Sequence, residues 1–176
     1  MGVEIERKWL MDPQTVEQIT GLLKLSHSAK IEQGYLCSEP VVRVRRDGDE
    51  YYMTYKGHGH LKREEYNLPL TKDAYEHLSK KCDGILVEKT RYMVPIGKLS
   101  ADSGEQMAEL DIFHGAYEGL VYVEVEFQTV EEAKAFQPPS WFGIDVTELG
   151  FCSNSWLSRH DMEALRNALF TRGIVI

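Results

Sequence analysis

Two glutamates and a lysine are spaced two residues apart near the start of the chain, at Glu4, Glu6 and Lys8. The segment alternates charged with largely apolar residues, which is typical of a β-strand whose successive side chains point to opposite faces. The three charged side chains therefore share one face of a predicted strand. Paired carboxylates suit a divalent cation, and a neighbouring ammonium group suits an anion.

Charged pairs with the same two-residue spacing recur in later segments that also have strand character. The acidic pairs are Glu109/Asp111 and Glu124/Glu126, the basic pairs are Arg43/Arg45 and Lys89/Arg91, and Lys56 and Arg63 add single charges. In the segment 121–127 the valines and Phe127 form one apolar face, so Glu124 and Glu126 lie on the other. Repeated around a curved sheet, this pattern predicts an apolar exterior beneath helices and a charged, hydrated interior.

Any one of these pairs is also consistent with an ordinary solvated sheet face, which opposite charges on neighbouring strands stabilise modestly. Their repetition favours a binding site, because an ordinary face mixes serine, threonine and glutamine among its charges. Clustered carboxylates repel one another unless a hard cation such as Mg²⁺, Mn²⁺ or Ca²⁺ lies between them. Clustered arginines and lysines require a polyanion, and the arginine fork fits phosphate oxygens. A metal-bound polyphosphate satisfies both sets.

Eight short segments have strand character, and four segments have helical periodicity or capping signals. The strands are predicted at 3–10, 31–37, 40–46, 51–56, 63–68, 85–94, 107–114 and 120–128. The helices are predicted from Asp12 to about Leu25, at 72–81, from Thr129 to Pro138, and at 156–170. This order predicts an α+β fold in which an antiparallel sheet is closed or nearly closed on itself, with helices packed outside.

Composition narrows the classes of partner. The 176 residues suit one domain over 1–176, and the net charge of −8 disfavours general attraction to nucleic acid or an anionic membrane. Three cysteines without metal-ligand spacing indicate free thiols, and no apolar run approaches the ~20 residues of a membrane span. We therefore expect a cytoplasmic protein with a small-molecule ligand; a homodimer is compatible with the sequence.

The motif Glu4-x-Glu6-x-Lys8 resembles the E-x-E-x-K signature of the CYTH superfamily, also called triphosphate tunnel metalloenzymes. The resemblance continues in order along the chain through Arg43-x-Arg45, Thr54-x-Lys56, Arg63-x-Glu65, Glu88-Lys89-x-Arg91, Glu109-x-Asp111, Glu124-x-Glu126-Phe127 and Ser153-Asn154-Ser155. Members of that superfamily fold as an eight-stranded antiparallel β-barrel, the tunnel. They hydrolyse or cyclise triphosphates with Mg²⁺ or Mn²⁺.

The resemblance implies functions for individual residues. Metal ligands would be Glu4, Glu6, Glu124 and Glu126, with Asp111 and Glu65 assisting the metal or water. The phosphate chain would be held by Lys8, Arg43, Arg45, Lys56, Lys89 and Arg91, with Arg63 as a helper. Lys8, Glu65 and Asp111 would act at the reacting centre. Some relatives have a second acid where this chain has Asn67, which puts an acidic function there in doubt.

Four functions are compatible with such a site. Hydrolysis of tripolyphosphate to pyrophosphate and phosphate is favoured, because the chain is short and shows no evident base-recognising pocket. A class IV adenylate cyclase, which converts ATP to cyclic AMP and pyrophosphate, and a thiamine triphosphatase are alternatives that share the same charged residues. A polyphosphate-binding module without catalysis is less favoured, because binding alone would not require so many carboxylates.

Overall fold

The computed structural model describes residues 2–58, 62–98 and 104–176, except for the side chains of residues 2, 3, 62, 63 and 98. Within these ranges the strands are β1 (Gly2–Leu10), β2 (His27–Ser38), β3 (Val41–Asp47), β4 (Glu50–Lys56), β5 (Lys62–Pro69), β6 (Asp83–Lys98), β7 (Glu105–Phe113), β8 (Val121–Glu126) and β9 (Ile144–Asp145). The helices are α1 (Pro13–Gln18), α2 (Thr20–Leu23), α3 (Lys72–Ser79), α4 (Val130–Ala135), α5 (Asn154–Leu157) and α6 (Met162–Phe170). Each of the eight predicted strands overlaps one of β1–β8.

All of the strand pairs are antiparallel, and they form one sheet in the order β5-β4-β3-β2-β6-β7-β8-β1-β9. Residues 6–10 of β1 pair with β8, whereas residues 2–5 pair with β5 at the far end of this order. The predicted antiparallel sheet with helices is confirmed. In the described chain the sheet has nine strands rather than eight, because the two-residue β9 adds to β1. A strand of two residues is too short for a periodic signal.

Two predicted helices are each divided in the structure. The first is interrupted at Ile19, which has φ −100° and ψ 12° and buries its side chain in the core. Threonine, valine, isoleucine and glycine are frequent in this segment and have low helix propensity, which favours the break. The last is divided into α5 and α6, because Asp161 caps a new helix by accepting a hydrogen bond from the Ala164 amide at 2.8 Å. The described part of the chain contains no helix long and apolar enough to cross a membrane.

Strand alternation places two apolar clusters around the charged face of the sheet. On the outer face of β1, β7 and β8, Trp9, Leu110 and Val123 pack beneath the segment that contains α4. The second cluster lies on the inner, charge-bearing face: Tyr122 shares its side of β8 with Glu124, and it packs against Phe113 and the C-terminal helices. The charged interior is therefore covered at one end by an apolar core.

A close approach at Gly34 accompanies a β-bulge in β2. The pairing register of β2 with β6 shifts between Gln33 and Tyr35, which marks a β-bulge. A Cβ atom at Gly34 would lie 2.6 Å from both Cys82 Sγ and Leu86 Cδ2. The absence of a side chain thus lets the chain between α3 and β6 pack against the bulge.

We predict that Gly34→Ala lowers the free energy of unfolding by about 1–3 kcal/mol, because the added methyl group overpacks this contact. Urea denaturation measures the effect. Gly21→Ala is the matched control: Gly21 lies in α2 with open space around its Cβ direction, so alanine there should be neutral or stabilise by up to about 1 kcal/mol. Equal stability of the two variants would contradict the close packing at Gly34.

Candidate active site in the interior of the sheet

A cavity of about 380 Å³ lies on the inner face of the sheet. Its lining gathers charged residues from seven strands: Glu4, Glu6, Lys8, Arg43, Arg45, Asp47, Lys56, Glu65, Arg91, Glu109, Glu124 and Glu126. Most of the residues singled out from the sequence are therefore brought together. Lys89 and Asp111 lie outside this lining and are almost fully buried, at 1% and 0% exposure. The backbone of Arg63 lies in β5, and its side chain is outside the described part of the structure.

Arg91 is the centre of a buried ion network on β6, β7 and β8. Its Nε and Nη2 donate to the two carboxylate oxygens of Asp111, each at 2.7 Å, and Nη2 also donates to Glu124 at 2.7 Å. Nη1 forms an ion pair with Glu109, and Lys89 forms one with Asp111. Three carboxylates therefore surround Arg91 and neutralise its charge.

The pKa values in this network follow from burial and from the fixed charges. Burial favours the neutral form of Asp111, but the charges of Arg91 and Lys89 outweigh it and hold the pKa of Asp111 below its ordinary value. Burial, aided by the positive charge of Arg91, lowers the pKa of Lys89 to about 8. Glu124 also has a lowered pKa: burial raises it, but Lys8, Lys89 and Arg91 act more strongly in the other direction. Lys8 contacts Glu124 at 2.8 Å.

Carboxylates face one another on the β1, β7 and β8 side of the cavity. Glu6 lies directly opposite Glu126 in the sheet, and Glu109 lies opposite Glu124, arrangements that are destabilising for like charges. Desolvation and the charges of four other glutamates raise the pKa of Glu126 to about 7. Among the described side chains, no cation lies within ion-pair distance of Glu126. The carboxylate cluster is Glu4, Glu6, Glu65, Glu109 and Glu126.

Lys56 connects β1 with β5 at the edge of the carboxylate cluster. Its ammonium group lies 2.7 Å from an oxygen of Glu4 and 2.7 Å from an oxygen of Glu65. Asn67 donates from its amide nitrogen to Glu65 at 2.9 Å and accepts from the Thr54 hydroxyl at 2.6 Å. The amide at position 67 therefore orients Glu65, where a second acid would have repelled it.

Arg43 and Arg45 form an arginine pair on the inner face of β3. Arg45 donates from Nε and Nη2 to the side-chain oxygen of Gln33, at 3.1 and 2.8 Å, and from Nη1 to the Tyr52 hydroxyl at 3.2 Å. The Nε of Arg43 is buried and has no hydrogen-bond partner among the described residues. Burial and the neighbouring charge of Arg45 lower the pKa of Arg43. Arg45 is thus held by neutral groups.

Gln33, Tyr35 and Tyr52 were not among the residues singled out from the sequence. They carry no formal charge, so the search for charged pairs could not find them. A weak signal existed: Gln33 and Tyr35 have the same two-residue spacing on β2 as the charged pairs have on their strands. Both side chains are almost fully buried, and Tyr35 lines the cavity.

The carboxylate cluster fits a hard divalent cation by its chemistry. All of its donors are carboxylate oxygens, which Mg²⁺ and Mn²⁺ prefer, and a cation would relieve the repulsion that raises the pKa of Glu126. In the described residues, no three acidic, histidine or cysteine side chains already converge as a metal-binding group. Glu4, Glu6 and Glu126 are the members suited to hold one, because Glu4 and Glu6 share one face of β1 and Glu6 lies opposite Glu126 in the sheet. Glu4 would then share its carboxylate between the cation and Lys56.

Comparison with known proteins identifies the family of this chain. Residues 2–143 match the model of the CYTH domain family. The chain belongs to the CYTH domain family. This match confirms the resemblance seen in the sequence motifs. It extends over strands β1–β8.

Relatives of this CYTH domain have a common description. An inorganic triphosphatase of Nitrosomonas europaea is 40% identical over 148 residues, covering 82% of this chain and 89% of the relative. An inorganic triphosphatase of Acetivibrio thermocellus is 32% identical over 152 residues, covering 84% and 87%. A solved structure of an inorganic triphosphatase is 34% identical, covers 91% of this chain and 97% of its own, and has a TM-score of 0.61.

The buried ion network of this CYTH domain predicts a large effect of a nearly isosteric change. Asp111→Asn leaves the buried Lys89 ammonium without its counter-charge, and we expect the free energy of unfolding to fall by about 3–5 kcal/mol. Glu76→Gln is the control, since Glu76 and Lys72 form an exposed pair at 3.7 Å whose loss should change stability by less than about 0.5 kcal/mol. Denaturant melts of both variants are compared. Similar losses in the two would contradict the structural importance of the network.

The carboxylate cluster predicts a pH-dependent effect in metal-free protein. The pKa of Glu126 rises from 4.5 to about 7, so the folded state binds more protons than the unfolded state between these values. Glu126 therefore destabilises the fold progressively as pH rises through this window. Glu126→Gln should raise the free energy of unfolding in EDTA at about pH 8 and change it much less at about pH 5.

The exposed Glu17 of α1 provides the control for this comparison. Glu17→Gln adds the same change of net charge outside the cavity, and it should give no such difference between the two pH values. If Glu126→Gln is equally or less stable than the parent protein at the higher pH, the carboxylates do not repel one another as described.

Proposed function

We propose that this CYTH domain hydrolyses inorganic tripolyphosphate to pyrophosphate and phosphate, with Mg²⁺ or Mn²⁺ as cofactor. One observation carries the proposal. One cavity contains a carboxylate cluster in which burial and neighbouring glutamates raise the pKa of Glu126 to about 7, and an arginine pair without carboxylate partners among the described residues. A metal-bound polyphosphate brings a cation to the carboxylates and an anion to the arginines. The description of relatives up to 40% identical as inorganic triphosphatases supports the same reaction.

We propose that strands β1–β8 close into a tunnel around this cavity. The pairing of β1 with β8 through residues 6–10 and with β5 through residues 2–5 supports this closure. β9 then lies outside the tunnel, where an ion pair of 2.5 Å between Arg7 and Asp145 fixes it against β1. A tunnel holds an extended polyanion along its length, which suits a linear triphosphate.

In this proposal Glu4, Glu6 and Glu126 would hold the divalent cation, which would neutralise charge on the phosphate oxygens. Glu124 has both oxygens engaged by Lys8 and Arg91, so it supports the cavity wall as the structure stands. Asp111 acts below the cavity by fixing Lys89 and Arg91. We therefore propose that Asp111 and Lys89 position the network and do not touch the substrate.

The substrate would be held by the cations that line the cavity. Arg43 and Arg45 donate to phosphate oxygens, and Lys8 and Lys56 bind at the boundary with the carboxylates. Glu65, fixed by Lys56 and Asn67, accepts a hydrogen bond from the attacking water and orients it in line with the terminal phosphorus. Phosphoryl transfer depends chiefly on such positioning and on charge stabilisation, so no covalent intermediate is needed.

The net charge of −8 agrees with a small substrate bound at a local cationic site, and it disfavours nucleic acid or an anionic membrane as partner. We propose the cytoplasm as its location.

The reaction is tested by incubating the protein with Mg²⁺ or Mn²⁺ and tripolyphosphate, ATP or thiamine triphosphate, with products identified by phosphorus NMR. We expect pyrophosphate and phosphate from tripolyphosphate, and a fall in kcat/KM of about 100-fold or more in Arg43→Met, which removes a charged donor to the substrate. Arg46→Met is the matched control, because Arg46 is exposed on the other face of β3.

Two outcomes would overturn the proposal. Cyclic AMP from ATP as the main product would replace hydrolysis with cyclisation. Binding of tripolyphosphate without any product would replace the enzyme with a polyphosphate-binding module.

A further inference from the structure

Two arginines that line the same cavity have opposite kinds of partner. Arg91 is surrounded by the carboxylates of Glu109, Asp111 and Glu124. Arg45 has its Nε, Nη1 and Nη2 engaged by the amide oxygen of Gln33 and the hydroxyl of Tyr52. Among the described side chains, no carboxylate lies within ion-pair distance of Arg45. The positive charge of Arg91 is offset by neighbouring carboxylates, whereas that of Arg45 is not.

Within the described part of the chain, Asp47 is linked to Arg45 only through the hydroxyl group of Tyr52. The Tyr52 hydroxyl accepts from Arg45 and donates to Asp47 at 3.3 Å, so the phenol stands between the cation and the acid. The ring of Tyr52 also lies 5.8 Å from the guanidinium carbon of Arg45. These contacts fix the direction of the guanidinium group without an ion pair.

Gln33 is itself rigidly placed. Its side chain is 0% exposed, and its amide nitrogen donates to the Tyr35 hydroxyl at 3.1 Å, which determines which end of the amide faces Arg45. The β-bulge between Gln33 and Tyr35 directs both side chains into the interior, and the close packing at Gly34 leaves little freedom for that bulge to shift. The amide oxygen is therefore held in place to accept both donors of Arg45.

We propose that Gln33 is a positioning residue that holds Arg45 for the substrate anion while leaving the positive charge of Arg45 uncancelled. This inference rests on the proposed triphosphatase function. A buried arginine needs hydrogen-bond acceptors, and carboxylates are the usual choice because they also offset its charge. A glutamate at position 33 would satisfy the same donors and form a buried ion pair with Arg45. The attraction of that arginine for a phosphate group would then be largely lost.

The decisive substitution is Gln33→Glu, which keeps the acceptor for Arg45 and changes its charge. We expect KM for tripolyphosphate to rise by about tenfold or more, with a smaller change in kcat and no loss of thermal stability. A merely structural function predicts a normal KM in Gln33→Glu, because the hydrogen bonds to Arg45 are retained. Gln14→Glu, on the exposed surface of α1, controls for the added negative charge and should behave as the parent protein.

A second comparison shows whether the effect acts through Arg45. In an Arg45→Met background, Gln33→Glu should raise KM several-fold less than in the parent protein, because there is no cation left to neutralise. An unchanged KM in Gln33→Glu, or the same rise in both backgrounds, would overturn the proposal for Gln33. Failure of the proposed function is distinguishable, since the parent protein would then release no phosphate from tripolyphosphate.

Discussion

Each charged side chain buried on the inner face of the sheet needs an opposite charge or a hydrogen-bond partner. The distribution of these partners determines which residues support the cavity and which can bind a ligand. Arg91 is the clearest case, because three carboxylates contact it and Asp111 in turn contacts Lys89. A buried charge without such partners would be destabilising by several kcal/mol. Where compensation is complete, the charges support the wall of the cavity. Charge compensation is incomplete at Glu126 and at the arginine pair, so these residues can bind a ligand.

The strand alternation explains how one small chain carries both a core and so many charges. Apolar side chains of β1, β7 and β8 point outward and are covered by the α4 segment, so the opposite face is free for charged residues. At one end of the interior, the same inward positions change to apolar residues such as Tyr122 and Phe113, which pack against the C-terminal helices. The C-terminal segment thus completes the core and also contributes Asn154 and neighbouring residues to the cavity lining.

The sequence predicted strands β1–β8 and most of the charged residues that line the cavity, because charge at two-residue spacing is a local signal. It could not predict which charges pair across strands, since pairing depends on contacts between distant residues. Lys89 and Asp111 were therefore predicted to act on the ligand, and the structure places them outside the lining of the cavity, almost fully buried. Gln33 was missed because a neutral residue gains its importance only from its partner, Arg45. The break between α5 and α6 was signalled locally by Asp161, but the continuous apolar periodicity obscured it.

The separation of the carboxylate cluster from the arginine pair is tested most directly by a crystal structure with Mn²⁺ and imidotriphosphate, a triphosphate analogue that resists hydrolysis. The anomalous signal of manganese locates the metal without ambiguity. The separation predicts manganese at Glu4, Glu6 and Glu126, with phosphate oxygens against Arg43 and Arg45 and the contacts of Arg91 unchanged. Manganese bound away from these glutamates, or an anion held by Arg91 in place of the arginine pair, would contradict it.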